Sequence, residues 1–232
     1  QLVMSAPVNG MYRLFHYDLQ QDQIQAMTDG SANDQAPIWS LDGEWIYFSS
    51  TRASKQEHQQ INEQDAERPW FLWRIRADGQ DLQQSAVQAK AAQFDPDGRY
   101  VYSVRAKQTG LWRRSVAELW NPKVADELIV ARLAPVDWNN WWVGREFVYF
   151  IERVGGSAPL LQRRALGSIF DQAGGLDGET GFGTQTLAEI PGLLYHSGLW
   201  LDEAQQQFFV SVVSHSAADL YRVYPAKRSG ED

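Results

Sequence analysis

The sequence contains no cysteine and only four histidines among its 232 residues. The missing cysteines exclude disulfide bonds and zinc sites built on thiolates. The histidines, His16, His58, His196 and His215, show neither the His-x-x-x-His nor the His-Glu-x-x-His spacing of common metal sites. We therefore expect no metal site and no cofactor.

Positive charge is in deficit, with 21 Lys and Arg against 29 Asp and Glu and a net charge of −8. Binding to nucleic acid or to an anionic membrane needs a basic face, so we expect neither.

No apolar run approaches the roughly 18 residues of a membrane-spanning helix, and no signal peptide is present. The chain starts at Gln1 inside a strand-like run, which is typical of a piece of a longer protein, so any membrane anchor is expected outside it.

Catalytic signatures are also lacking. The sequence has no Gly-x-Ser-x-Gly nucleophile elbow and no paired acidic motif. We therefore predict no catalytic residue and expect that this chain is not an enzyme.

Aromatic residues are abundant, with ten Trp, nine Tyr and ten Phe, and they suit the half-buried faces of stacked sheets. They recur in a hairpin pattern of strand, turn and strand at intervals of about 50 residues. Its copies are residues 36–48, 91–102, 139–150 and, in degraded form, 197–213. Asp42-Gly43 and Asp97-Gly98 are strong hairpin turns because glycine accepts a positive φ, whereas Gly144-Arg145 and Asp202-Glu203 are weaker ones.

Further strand-like runs follow each hairpin, and others open the chain. They are residues 1–6, 12–17, 23–27, 71–76, 111–116, 127–133, 160–165, 186–190 and 219–224. Four short strands per unit of about 40–50 residues are typical of a propeller blade, whereas a β-sandwich or an ordinary barrel does not demand a repeated hairpin. We predict an all-β β-propeller of about four to five four-stranded antiparallel blades, or a fragment of a larger propeller. Residues 1–232 are then a single or partial propeller domain with blades at 1–31, 32–88, 89–133, 134–190 and 191–232.

The first hairpin carries a family resemblance. Residues 37–43 read Pro-Ile-Trp-Ser-Leu-Asp-Gly, and residues 48–52 read Phe-Ser-Ser-Thr-Arg. They resemble the TolB-type, WD-like propeller repeat, which typically reads Pro-x-Trp-Ser-Pro-Asp-Gly before a strand ending in Phe-x-Ser-x-Arg. Residues 94–98 match its turn, and all four hairpins match with falling quality. The motif is specific for the fold and contains almost no information on activity.

The closing segment, residues 197–202 and 213–221, resembles the last blade of ToxR- and CadC-like bacterial regulators. Those proteins carry a winged-helix DNA-binding domain, one membrane helix and a periplasmic propeller. The resemblance implies a non-enzymatic sensory domain in the periplasm, as part of an inner-membrane-anchored transcriptional regulator that acts through protein or small-ligand contacts. Three alternatives stay open: a TolB-like envelope scaffold, the non-catalytic propeller of a prolyl-oligopeptidase-like hydrolase, and a cytoplasmic location.

Two groups of residues are candidates for ligand binding. The first is Trp138 and Trp142 in the cluster 138–142, where indoles and amides suit a sugar, a peptide or a cation. Trp141 is expected to pack between blades as Trp39 does, and for Trp138 and Trp142 packing against a neighbouring blade or the rim is equally open.

The second group is Arg52, Arg105 and Arg153, which fall near the ends of equivalent strands. Such ends converge around a propeller's central channel, where arginines suit an anion or an acidic peptide. Ion pairs between blades, or solvated loop positions, are the alternative interpretation.

The first 30 residues or so supply three strands and lack the innermost one, and the last 40 or so supply three and lack the outermost. Open strand edges recruit other strands, so we expect self-association or a protein partner. Residues 51–69 and 167–184 interrupt the repeat as polar insertions. The second is rich in glycine and acidic residues, but its spacing differs from that of a calcium loop.

Overall fold

The computed structural model describes residues 1–52, 68–166, 183–204, 207–214 and 217–223. Eighteen strands form five antiparallel sheets, and these residues contain no α-helix, which confirms the predicted all-β class. In this part of the chain there is also no helix long and apolar enough to cross a membrane. The predicted insertions lie largely outside the described residues, as do His58 and His215.

Each sheet is a meander of consecutive strands. The first holds β1 (Leu2–Val8), β2 (Met11–Asp18) and β3 (Gln23–Ala26), and the second β4 (Asp34–Trp39), β5 (Trp45–Ser50), β6 (Phe71–Arg76) and β7 (Gln83–Gln88). The third holds β8 (Ala91–Phe94), β9 (Tyr100–Val104), β10 (Leu111–Ser115) and β11 (Glu127–Val130). The fourth holds β12 (Trp141–Val143), β13 (Phe147–Glu152), β14 (Leu160–Ala165) and β15 (Thr184–Glu189), and the fifth β16 (Leu199–Asp202), β17 (Gln207–Ser214) and β18 (Ala217–Val223).

The predicted Asp-Gly turns join the first two strands of the second and third sheets. Gly43 has φ +73° and Gly98 has φ +68°, values that favour glycine, and both turns are therefore confirmed. The Asp42 carboxylate accepts hydrogen bonds from the Ser40 hydroxyl at 2.5 Å and from the Glu44 amide at 3.0 Å. These bonds hold the pKa of Asp42 below its usual value.

The chain divides into two compact units. The first spans 1–94 and 98–129, and the second spans 95–97 and 130–232. In the first unit, apolar clusters join the first sheet to the second and the second to the third. In the second unit, one cluster joins the fourth sheet to the fifth. The core therefore lies between sheet faces, as in stacked blades.

Some local features differ from the sequence predictions. Strand β7 was not predicted, because its sequence Gln-Gln-Ser-Ala-Val-Gln is largely polar and lacks a clear alternation. Strand β11 ends at Val130 rather than residue 133, because Leu133 instead bridges to Glu152 of β13. Trp141 is buried as predicted, with 1% of its surface exposed. Trp39, which was expected to pack between blades in the same way, is only half-buried.

Candidate functional site

Arg52 follows β5 and is held by a buried carboxylate. Its Nη2 donates to Asp34 Oδ2 at 3.0 Å, and the Asp34 side chain is completely buried. Its Nη1 donates to the Ser31 hydroxyl at 3.0 Å and to Asp29 Oδ1 at 3.3 Å. The amide and hydroxyl of Ser31, and more weakly Arg52, lower the pKa of Asp29 to about 2.

Arg105 follows β9 and shares one buried carboxylate with a second arginine. Arg105 Nη2 donates to Asp126 Oδ2 at 2.8 Å, and Arg114 Nε donates to Asp126 Oδ1 at 2.6 Å. Only about a twentieth of the Arg114 and Asp126 side chains is exposed. One carboxylate therefore faces two guanidinium groups, which leaves a local excess of positive charge.

Arg153 follows β13 and donates two hydrogen bonds to a fully buried aspartate. Its Nε donates to Asp137 Oδ2 at 2.8 Å, and its Nη2 donates to Asp137 Oδ1 at 2.9 Å. The Asn140 side chain donates to the same Oδ1 at 2.7 Å and to the Leu194 carbonyl at 3.1 Å. Two parallel N–H···O bonds of this kind fix the guanidinium plane.

The three arginines predicted from the repeat are thus ion-paired, each with a buried aspartate of its own predicted blade. Arg52 and Arg105 belong to the first unit, and Arg153 belongs to the second. Within the described residues, Nε of Arg52 and Nε of Arg105 are buried without a hydrogen-bond partner. Ligand binding by these arginines stays a prediction.

The Trp cluster is packed within the second unit. The indole N–H of Trp141 donates to the Trp138 carbonyl at 2.8 Å. The Trp138 ring lies 5.5 Å from that of His196, and Trp142 meets Trp200 edge to face at 6.4 Å between centroids. Both indoles are half-buried against the region of the fifth sheet. Their role as a ligand platform stays a prediction.

Sequence reasoning missed the polar centre of this unit, Asp137 and Asn140, both of which are completely buried. The Asn140 side-chain oxygen accepts hydrogen bonds from the Ser197 hydroxyl at 3.1 Å and from the Gly198 amide at 2.9 Å. Asn140 therefore links the start of the fourth sheet to the segment before β16. The pairing spans more than 50 residues of sequence, so no local pattern could have revealed it.

A cavity of about 200 Å³ opens in the first unit beside Arg105. The ammonium group of Lys90 lies 3.4 Å from the centre of the Trp70 ring and donates to the Gln35 side-chain oxygen at 2.7 Å. We call this space the cationic cavity; its lining residues are Arg68, Pro69, Trp70, Gln88, Arg105, Ala106, Lys107 and Gln108.

One face of the first sheet is apolar and exposed. Cross-strand neighbours lie on the same face of a sheet, and here Leu2 pairs with Tyr17, Met4 with Phe15, and Tyr17 with Ile24. Ile24 is 62% exposed and Leu2 48%, whereas the opposite face packs in the core. We call these five residues the outer face.

The fifth sheet has a similar exposed face. Trp200 pairs with Phe209 on the side opposite to the buried residues Leu199, Leu201 and Phe208. Trp200 is about half exposed. Among the described residues, no group of three or more acidic, histidine or cysteine side chains is placed to hold a metal ion.

No protein-family model and no curated protein matches the sequence. Among solved structures, TolB from Acinetobacter baumannii superposes with a TM-score of 0.63 and 13% identity, over 96% of this chain and 48% of that chain. An oligogalacturonate lyase in complex with manganese gives a TM-score of 0.53 and 12% identity, over 93% of this chain and 55% of that one. The chain therefore spans about half the length of these neighbours.

A structure from an analysis of two prolyl endopeptidases gives a TM-score of 0.51 and 14% identity, over 94% of this chain and 32% of that chain. Sequence identities this low show a similarity of fold alone. Together with the repeated four-stranded sheets, they show that the chain has a TolB-like β-propeller fold.

Proposed function

We propose that this chain is a non-enzymatic binding domain that contacts another protein chain through the outer face of its first sheet. The observation that carries the proposal is the row of Leu2, Met4 and Ile24, all exposed beside the half-buried rings of Phe15 and Tyr17. Contiguous apolar patches on a soluble protein mark sites of protein contact, because burying them removes apolar surface from water.

The partner we favour is a second copy of the chain. In the described residues, the first and fifth sheets have three strands where the other sheets have four, so each is one strand short of the four-stranded repeat. Each also exposes an apolar face, which includes Ile24 on the first sheet and Trp200 on the fifth. Pairing the edges and faces of these sheets between copies would cover both, and homo-oligomers use complementary patches in this way.

The finer part of the proposal concerns the biological setting. We infer that the domain works in the bacterial periplasm as the sensory region of a membrane-anchored transcriptional regulator. The support is the resemblance of residues 197–202 and 213–221 to the last blade of such regulators. In the full coding sequence, we expect a winged helix and a membrane span upstream. A signal peptide alone would instead favour an envelope scaffold, and a hydrolase domain downstream would favour the propeller of a peptidase.

Sedimentation velocity at micromolar concentration tests the contact. The wild-type chain is expected to self-associate, and Ile24→Lys is expected to weaken association because it places a charge in the apolar contact. Leu41→Lys is the matched control, because Leu41 is 65% exposed in the turn after β4, outside the outer face. A wild-type chain that stays monomeric, or equal effects of the two substitutions, would contradict the proposed contact.

A further inference from the structure

We propose that the cationic cavity binds a small organic anion, with its carboxylate or phosphate group beside Arg68 and Lys107 and its apolar part against Trp70. This inference extends the proposed binding function by naming a class of ligand. It uses a surface different from the outer face, so each of the two proposals has its own test.

The position of the cavity follows from the ends of three strands. Phe71 at the start of β6 pairs with Gln88 at the end of β7, so the segment before β6 lies next to the end of β7. The segment 105–108, which follows β9, also lines the cavity. With about 200 Å³ of space, the cavity is smaller than a usual drug-sized pocket of roughly 300–1,000 Å³, so it suits a compact ligand.

The charge of the lining selects an anion. Among the described residues, the ionised side chains that line the cavity, Arg68, Arg105 and Lys107, are cations, in a chain whose net charge is −8. The carboxylate that Arg105 contacts, Asp126, also meets Arg114, so it does not cancel the positive charge of the pair. A recess lined by charges of one sign concentrates ions of the opposite sign.

Arg105 is held rigidly at this site. Its Nη1 donates to the Gln108 side-chain oxygen at 2.6 Å, its Nη2 donates to Asp126 at 2.8 Å, and its guanidinium lies 4.4 Å from the centre of the Trp112 ring. A cation that is already fixed loses little conformational entropy when an anion binds. Its Nε is buried without a hydrogen-bond partner among the described residues, so this donor is left over from the internal contacts.

The apolar part of the ligand has a wall to lie on. Trp70 and Pro69 form one side of the cavity, and the Lys90 ammonium group fixes the indole by lying over its ring at 3.4 Å. Gln88 and Gln108 add polar residues to the lining. This combination of cations, amides and one aromatic wall fits an anion that carries a flat or apolar body.

Isothermal titration calorimetry with the full chain tests the site, using phenyl phosphate, benzoate and inorganic phosphate as probes and uncharged benzyl alcohol as the neutral probe. We expect the anions to bind and benzyl alcohol not to bind. The double variant Arg68→Gln with Lys107→Gln should weaken binding about tenfold, because it removes two charge-assisted contacts at a partly solvated site. Lys123→Gln is the control, since Lys123 is exposed and does not line the cavity.

A second variant separates the two halves of the ligand. Trp70→Leu should weaken the binding of phenyl phosphate while leaving that of inorganic phosphate within about twofold, because only the former has a ring to place on the indole. The proposal is overturned if no anion binds, if the double variant binds phenyl phosphate as tightly as the wild type, or if Lys123→Gln weakens binding equally. Self-association is measured separately by sedimentation, so failure of the anion site and failure of the outer-face contact are distinguishable.

Discussion

Arg153 binds Asp137 through two parallel hydrogen bonds, of 2.8 Å from Nε and 2.9 Å from Nη2, and the Asp137 side chain has no exposed surface. A carboxylate is stable in such a place only while its charge is matched and its oxygens are hydrogen-bonded. The pair therefore acts as a support for the second unit, and its removal is a direct test of that role.

Asp137→Ala should lower the free energy of unfolding by about 3–5 kcal/mol, because it leaves the guanidinium of Arg153 without its partner in a largely buried place. The matched control is Arg145→Ala, which removes an arginine from an ion pair whose side chains are 71% and 53% exposed. It should cost less than about 1 kcal/mol. Urea unfolding measures both, and similar losses for the two variants would show that Asp137 has no special structural role.

Gly43→Val should lower the free energy of unfolding by roughly 1 kcal/mol or more, because φ at this position is +73° and a β-branched residue is strained there. Nothing lies within 4 Å of the position that a Cβ would take, so the loss reports the backbone strain alone. Gly155→Val is the control, since Gly155 is equally open but does not have a positive φ in this range. Thermal unfolding in which both variants behave alike would argue against the turn geometry.

Trp141→Ala should lower the free energy of unfolding by about 3–5 kcal/mol, because a buried indole leaves a large cavity and its N–H bond to the Trp138 carbonyl is lost. Trp200→Ala removes the same side chain from a half-exposed position and should cost less than half as much. Guanidinium chloride unfolding compares the two. A loss at Trp141 no larger than that at Trp200 would mean that Trp141 does not fill a core position.

The carboxyl group of Asp29 should titrate at about 2 in a carbon-detected NMR titration, because the Ser31 amide and hydroxyl, and to a smaller extent Arg52, stabilise its ionised form. Since the pKa of the folded state lies below the unfolded value of about 3.9, this group favours the fold above that pH. Its contribution is lost as the pH falls through about 2, and it is small because the side chain is 68% exposed.

Ser31→Ala separates the causes at Asp29. It removes the hydroxyl donor and keeps the amide, so the pKa of Asp29 should rise part of the way towards its ordinary value. Arg52→Gln should raise it less, since the arginine is the weaker cause. A larger rise with Arg52→Gln would mean that the ion pair, rather than the turn, controls this group.

The repeated hairpin was readable from the sequence because its signals are local. Asp42-Gly43 and Asp97-Gly98 encode a positive φ at a fixed place, and the aromatic and apolar residues on both sides follow the alternation of strands. The sequence did not predict strand β7, because this strand is largely polar and pairs with β6 through an irregular register. A strand like this forms because its neighbour offers hydrogen-bonding groups, and a local pattern contains no information on that.

The residues of the cationic cavity also differ in whether the sequence predicted them. The sequence indicated Arg105 as a candidate because it follows the second strand of a repeat, and the structure places it in the wall of the cationic cavity. The sequence did not indicate Arg68 or Trp70, because Arg68 lies at the end of the predicted insertion, Trp70 directly follows it, and neither matches a motif. They meet Arg105 only because the start of β6 and the ends of β7 and β9 lie at the same edge of the stacked sheets.

The sequence by itself determined the all-β fold class, the positions of the Asp-Gly turns and the recurrence of the hairpins, since each of these depends on residues close together along the chain. Only the tertiary structure decided which charged groups are paired and which apolar faces stay exposed. The partners of Arg153 and Asn140 lie up to 58 residues away in sequence, and their choice depends on how sheets stack. Burial then decides which contacts each group needs. A charge in the core requires an oppositely charged or hydrogen-bonding partner, and an apolar face at the surface favours contact with another molecule.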